Sequence, residues 1–292
     1  MDMRGSGGTE GKSSADARTR NVFCLRVQLE MYEDSFDDQY IGCVDEMESI
    51  APELLRKERA QRPDLDAAWN VNSAAWEEKK SLAGLLPDNF RDEYGIALLL
   101  YTYMDVPMYK DFNYAVREYG QHPDSFMFHS WHFYLTRALC LLQAGYDRKP
   151  WSTYRGASRV QFEPPSDPQA TIRLGQFAST STNIRQAQQF GNASFFNITT
   201  CFGVDIEKFS HYPSQKEVLI PTGEVFHVTK YIKEGNRLVL QTTNRRCSYY
   251  NCAYLGGSKR QSCTYNSAPA ILTPLLVMMS IVVISATRFL IS

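Results

Sequence analysis

The period of the apolar residues changes once along this chain, near Gly145, and that change limits its architecture more than any other feature. Before it the pattern is helical, over residues 38–145. Phe128, Trp131, Leu135, Ala138, Leu139 and Leu142 recur mostly at intervals of three and four, which lays an apolar stripe along one helix. Pro123-Asp124 reads as its start and Gly145 as its stop. Residues 91–103 and 109–119 read as two shorter helices. Beyond Gly145 the period is two. Strands are expected over 152–155, 172–179, 194–202, 216–220, 225–232 and 237–242, with one short helix over 183–190. Helices first and strands afterwards predict an α+β fold with one shared core, a helical N-terminal part (38–145) packed on a β-rich C-terminal part (150–245).

A chain of 292 residues with 43% hydrophobic content can bury one substantial core or two small ones. A net charge of -1 with no Lys/Arg-rich run gives no reason to expect a nucleic-acid partner. There is no internal repeat, no P-loop and no G-x-G-x-x-G after a strand, so a nucleotide-triphosphate or Rossmann fold has no support. His129 and His132 stand at i, i+3 on the long helix but lack a third ligand. They read as structural histidines, and no metal is expected.

The seven cysteines match no zinc spacing, and C-x-x-C is absent. Cys43, Cys247, Cys252 and Cys263 flank the expected core at both ends, the pattern of a secreted domain whose termini are tied together. Two N-x-[ST] triplets, at Asn192 and Asn197, agree with that compartment. Asn197 falls inside a strand-like run, where an inward-facing side chain would go unmodified.

Residues 271–287 form the one long apolar run, slightly short of the ~20 residues of a membrane span. Upstream lie three small residues, Gly256-Gly257-Ser258, and a polar spacer over 259–269. Small residues, spacer and apolar tail make up a glycosylphosphatidylinositol (GPI) attachment signal, so residues 256–292 read as a segment removed when the lipid is added. Asn266-Ser267-Ala268 is the second possible attachment point, and a tail-anchored helix is the competing reading. Residues 1–22 read as disordered or as a mis-assigned start: they are rich in Gly, Ser and charge, and residues 1–20 show no apolar stretch of a signal peptide. Residues 23–255 remain as a single domain.

Within it, the run Ser214-Gln215-Lys216-Glu217-Val218-Leu219-Ile220-Pro221 reads as a polar loop that delivers a carboxylate onto the first residue of a strand. Two further pieces precede it in order: Tyr154-Arg155-Gly156 at the end of one strand, and Phe177-Ala178-Ser179-Thr180-Ser181 at the end of another. This ordered set closely resembles the arginine–serine–glutamate signature of the GPI-anchored vertebrate ecto-mono-ADP-ribosyltransferases, relatives of the binary-toxin enzymes. The resemblance covers most of the chain. It takes in Ser35-Phe36-Asp37-Asp38-Gln39-Tyr40, Tyr134-Leu135-Thr136-Arg137-Ala138, Arg173-Leu174-Gly175-Gln176-Phe177 and Tyr250-Asn251-Cys252.

The resemblance implies an ADP-ribosyltransferase fold that uses NAD+ as a substrate, with no cofactor. Glu217 would stabilise the positive charge that develops on the ribose as nicotinamide leaves. Arg155 would hold the dinucleotide's phosphates, the Gly156 backbone the nicotinamide amide, and Ser179 would orient the glutamate. Phe190 would stack on nicotinamide. The implied acceptors are extracellular or secretory-pathway proteins with an exposed arginine, met by an enzyme held at the outer face of the plasma membrane through a lipid.

Two departures from the family pattern stand out. Arginine-modifying members usually carry glutamate at the first position of an E-x-E pair, and this chain has Gln215. An amide carries no charge to attract a guanidinium, so NAD+ glycohydrolase activity with little transfer is one alternative. A catalytically silent surface antigen is the other. By the same resemblance Cys43 pairs with Cys252, whereas the usual partner of Cys201 is replaced by Pro150, leaving Cys201 unpaired and buried. Cys140 reads as a core residue of its helix.

Overall fold

Every side chain from Tyr94 to Thr102 is buried, and this makes α3 (Asp92–Thr102) the helix around which the others gather. The computed structural model describes residues 25–144 and 149–267. Against α3 pack α2 (Pro63–Lys79), α4 (Met108–Glu118) and α5 (His129–Ala144), and α1 (Val44–Gln61) packs on α5 and α2. A Cβ at Gly95 would come within 2.5 Å of the Trp76 indole. Glycine at that point is what lets α2 close onto α3.

The long helix starts five residues later than its sequence suggests. Pro123-Asp124-Ser125 forms a 3-10 turn, and α5 begins at His129. Its cap comes from α1: the Glu58 carboxylate accepts from the His129 amide (2.7 Å) and from the amide and hydroxyl of Ser130. A carboxylate on the orphan amides of a first turn also meets the positive end of the helix dipole. Burial nonetheless raises the Glu58 pKa from its ordinary 4.5 to about 7.

The β region comprises a small parallel pair and a larger mixed sheet. β1 (Leu25–Gln28) runs parallel to β3 (Val160–Glu163). The larger sheet uses β2 (Trp151–Ala157), β4 (Thr171–Ile172), β5 (Ala178–Ser181) and β6 (Ser194–Thr200). It is completed by β7 (Val204–Asp205), β8 (Glu217–Ile220), β9 (Glu224–Ile232), β10 (Arg237–Ser248) and β11 (Thr264–Ser267). The strand order is β4-β9-β10-β6-β2-β5-β8-β7, with β11 added to β10. Within this larger sheet all pairings are antiparallel except β6 with β10. The α+β class and the packing of helices on a mixed sheet agree with the sequence reading. The single shared core does not, because the buried apolar residues fall into two clusters. The larger unites the helices with Phe177, Leu219 and Val225, and the smaller holds Phe196, Ile198, Phe226 and Leu240.

The one strand expected over 172–179 is two. β4 lies at the edge beside β9, and β5 lies between β2 and β8. Between them Arg173, 0% exposed, turns inward onto the Asp37 carboxylate, itself 0% exposed. Arg173 also donates to the carbonyls of Met31 (2.7 Å), Tyr32 (2.8 Å) and Cys247 (3.0 Å), while Asp37 accepts from the amides of Tyr249 and Tyr250. A charged side chain that must be neutralised inside the protein breaks the alternation a continuous strand requires. Desolvation pushes the Asp37 pKa up, and the Arg173 charge opposes it.

Ordered structure continues past residue 255 to Ser267. Cys247 bridges Cys263, and β11 pairs with the end of β10. Cys43 bridges Cys252 across 209 residues of sequence, as the resemblance implied. Cys201 is free as expected, but it and the free Cys140 are half-buried and not core residues. Cys24, the segment 1–24 and the apolar run 271–287 lie outside the described residues. Among the described residues no helix is long and apolar enough to cross a membrane. His132 sits between the Tyr40 hydroxyl (2.8 Å) and the Phe36 carbonyl (3.1 Å), and burial lowers its pKa to about 3. It is a neutral packing residue at any physiological pH.

Removing one partner of a buried ion pair strands the other charge, at about 3–5 kcal/mol. Arg173→Met is therefore expected to lower unfolding stability by that amount in urea titration. Arg26→Met, which breaks an exposed pair with Glu163, is expected to change it by less than about 1 kcal/mol.

Candidate active site

Three neighbouring strands, β2, β5 and β8, bring Arg155, Ser179 and Glu217 together. β2 pairs with β6 over seven residues but with β5 through a single register pair, Tyr154 with Ser181. The sheet therefore parts between β2 and β5, and the Arg155 guanidinium spans the gap by donating to the Ser179 carbonyl at 2.6 Å. A guanidinium has five donors, so most of this fork remains uncommitted. β8 lies antiparallel to β5 with Ser181 opposite Glu217. That register sets the carboxylate at the mouth of the same gap.

Glu217 is 6% exposed. Desolvation raises its pKa from 4.5 to about 7, with the Ser179 hydroxyl and the Arg155 charge pulling it partly back. A carboxylate with this balance keeps its proton-binding equilibrium near neutrality, where small changes of environment switch its charge.

The approach to Glu217 is a tight turn. Pro213–Gln215 forms a 3-10 turn, and Lys216 takes left-handed backbone angles, φ +47°. The Ser181 hydroxyl donates to the Gln215 carbonyl (2.6 Å), and Thr182 donates to the Lys216 carbonyl (3.2 Å). These bonds fix the turn from the β5 side. The Gln215 side chain is half-exposed, with its amide nitrogen 3.8 Å from the Met104 sulfur.

Gly156 follows Arg155 and is buried. A Cβ there would overlap the carbonyl oxygens of Ala187 and Gly191 at the end of α6 (Ile184–Gln189). The need for glycine is thus accounted for by the close approach of α6. Asn183 caps that helix by accepting from the Arg185 amide (3.0 Å), and Phe190 closes it with its ring 43% exposed. Asn192 and Asn197 do not join this cluster. Both are exposed, and Asn197 points away from the buried face of β6, contrary to an inward-facing reading.

Two residues that sequence reasoning passed over belong beside the gap. Tyr101, at the end of α3, donates to the Phe177 carbonyl and accepts from Asn113, both at 2.9 Å. Burial pushes its pKa up, Arg155 pulls it down and Glu217 pushes it up, so its hydroxyl lies within reach of both charges. Arg117 on α4 is half-buried and forms no ion pair among the described residues. Burial is the largest cause lowering its pKa, and the charge of Arg155 acts the same way. A polar-tipped residue closing an apolar helix, and an arginine beside the core residue Val116, were the available signals.

This architecture is that of the ADP-ribosyltransferases. The crystal structure of the eukaryotic mono-ADP-ribosyltransferase ART2.2 matches with a TM-score of 0.70 and 37% identity over 78% of this chain and 99% of that one. A mutant of ART2.2 solved in complex with NADH matches equally well. The chain belongs to the NAD:arginine ADP-ribosyltransferase family, whose model matches residues 29–248. Among curated relatives, ecto-ADP-ribosyltransferase 5 of Bos taurus is 44% identical over 81% of this chain and 77% of its own length. The GPI-linked NAD(P)(+)--arginine ADP-ribosyltransferase 1 of Mus musculus is 40% identical over 83% and 78%.

The raised pKa of Glu217 has a signed consequence for stability. Below about 4.5 the group is protonated folded and unfolded, so its environment costs nothing. Between 4.5 and about 7 the unfolded chain ionises first, and the fold loses up to about 3 kcal/mol as pH rises. Glu217→Gln removes that loss. Its unfolding stability relative to wild type is expected to be higher at pH 8 than at pH 4, measured by urea titration at both.

Proposed function

We propose that this chain is a mono-ADP-ribosyltransferase that cleaves NAD+ at the nicotinamide–ribose bond and transfers ADP-ribose to arginine side chains of proteins. The observation that carries this reading is the buried Glu217 carboxylate, set beside Ser179 and Arg155 where the sheet parts. As nicotinamide departs with its bonding electrons, positive charge develops on the ribose. A carboxylate already desolvated and fixed stabilises that charge without reorganising. Ser179 holds its orientation. The free donors of Arg155 suit a phosphate, and Arg117, a second cation with no ion-pair partner among the described residues, supplies further positive charge for a pyrophosphate. Phe190 offers an exposed ring for stacking at the end of α6. The NADH-bound structure of the ART2.2 mutant supports a dinucleotide as the substrate.

The acceptor is less favourably served. Gln215 has neither charge nor base strength, so capture of a guanidinium is expected to be weaker than bond cleavage. This favours a second reading, in which water takes much of the ADP-ribose and NAD+ glycohydrolysis outruns transfer. A silent surface antigen is the least supported alternative, because arginine, serine and glutamate are all present and brought together.

Relatives named as ecto- and GPI-linked enzymes support a site of action at the outer face of the plasma membrane, with protein acceptors there. Attachment of a lipid at Gly256, Gly257 or Ser258 would delete β11 and the partner of Cys247. Attachment at 266–268 would keep the bridge, and we favour that point. Asn192 and Asn197, both exposed, are open to glycosylation in the same compartment.

Timed nicotinamide release, with labelled ADP-ribose transfer to polyarginine in parallel, tests the reading. Glu217→Gln is expected to lower nicotinamide release by at least about 10²-fold, the loss typical of one preorganised stabilising group. Cleavage by wild type is expected to decline as pH falls below about 7, where Glu217 takes up a proton. Gln215→Glu is expected to raise transfer to an arginine analogue. Absence of nicotinamide release from the wild-type protein would overturn the enzymatic reading.

A further inference from the structure

We propose that Asp105, on the loop between α3 and α4, is the carboxylate that recognises the guanidinium of the acceptor in this chain. The inference rests on the transferase reading of the Glu217 site and concerns its second substrate.

The loop over 103–107 is clamped to the turn that carries Gln215 and Glu217. The His211 amide donates to the Thr102 hydroxyl at 3.1 Å. The Tyr103 and His211 rings lie 5.1 Å apart, and the His211 imidazole is held at 2.6 Å by the Asn72 side chain. The amide nitrogen of Gln215 stands 3.8 Å from the Met104 sulfur. At the loop's far end Tyr109 lies in electrostatic range of both Arg155 and Glu217, with burial the main cause of its raised pKa. The near end of the loop is thus held to the segment ahead of Gln215, Met104 touches Gln215 itself, and the far end lies within the field of the site charges.

Asp105 is exposed and forms no ion pair or side-chain hydrogen bond with any described residue. Its charge nonetheless reaches the clamped segment: burial lowers the His211 pKa, the Lys79 charge acts the same way, and Asp105 opposes them. Met104 and Val106 flank it with 45% and 43% of their surfaces exposed. A free carboxylate between two exposed apolar side chains matches a guanidinium, a flat and weakly hydrated cation that seeks both an anion and an apolar face. Lysine, a compact and strongly hydrated charge, fits it less well. Asp105 thus supplies, next to the Met104 that Gln215 touches, the negative charge that Gln215 lacks.

In the transfer itself the ribose C1′–nicotinamide bond breaks, and its electron pair leaves with nicotinamide. A guanidinium nitrogen forms the new C1′–N bond, and the proton it loses passes to water. Asp105 exchanges no proton in this scheme. It raises the occupancy of the acceptor.

The test uses the whole protein with NAD+ and agmatine, a guanidinium compound, and follows nicotinamide release and agmatine modification in the same reaction. Asp105→Asn is expected to raise the KM for agmatine by up to about fivefold, as for loss of one exposed ion pair. The ratio of transfer to hydrolysis is expected to fall with it. A merely structural effect would lower both activities and leave that ratio in place. Added salt is expected to raise the agmatine KM of wild type and to leave that of Asp105→Asn nearly flat, because an exposed charge is screened. Gln215→Glu in the Asp105→Asn background is expected to restore transfer. Equal transfer-to-hydrolysis ratios in wild type and Asp105→Asn, with cleavage intact, would overturn the role of Asp105 alone. So would a wild type that cleaves NAD+ but never modifies agmatine. A wild type that releases no nicotinamide overturns the transferase reading, and this inference with it.

Discussion

The buried guanidinium of Arg173 decides where the chain can run between β4 and β5. Its partners come from distant parts of the sequence: Asp37 ahead of the first helix, the carbonyls of Met31 and Tyr32, and Cys247 at the end of β10. A charge taken out of water must find such partners, and the backbone bends to deliver them. The bend ends one strand at the sheet edge and starts the next five positions away in the strand order, between β2 and β8. Without it Ser179 would continue along the edge beside β9 and never stand next to Arg155. The Asp37 carboxylate fixes the same point from the other side by accepting from Tyr249 and Tyr250, just before the Cys43–Cys252 bridge. Fold closure and site assembly thus share one buried pair.

Three buried carboxyls, Glu58, Glu217 and Glu224, are raised to about 7 by desolvation, yet their surroundings differ. Glu58 caps α5 through two amides and a hydroxyl. Glu224 accepts from the hydroxyls of Thr200 and Thr242 and from the Cys201 amide. Both have their acceptor capacity filled by neighbours and join elements together. Glu217 has Ser179 and Arg155 beside it, at a place where two strands barely pair. Similar acidity therefore accompanies two structural roles and one site that faces a gap. Position in the fold separates them, and the size of the shift does not.

The sequence made the fold class legible because one change of period, near Gly145, separates helices from strands. The site was legible through ordered short motifs whose strands proved adjacent. What escaped reading was tertiary in cause. The start of α5 is set by Glu58, which is 71 residues upstream of His129, and local signals at Pro123-Asp124 could only mark a 3-10 turn. The break within 172–179 depends on the place of Asp37, which no local pattern records. Tyr101 and Arg117 were hidden because a tyrosine on a buried helix and an arginine on an amphipathic one have ordinary structural explanations. The pairing of Cys247 with Cys263 could not be chosen from spacing, since several pairings of the remaining cysteines satisfied the sequence equally.

That last bridge changes what chain cleavage near the C-terminal end can accomplish. Residues 258–262 are exposed, while Cys247 lies before them and Cys263 after. A protease that cuts within this stretch opens the backbone but frees nothing, since the two fragments stay joined through sulfur. Whatever is carried beyond Ser267 would remain tethered to the domain after such a cut. Separation of the two pieces after such a cut would then also require a reductant.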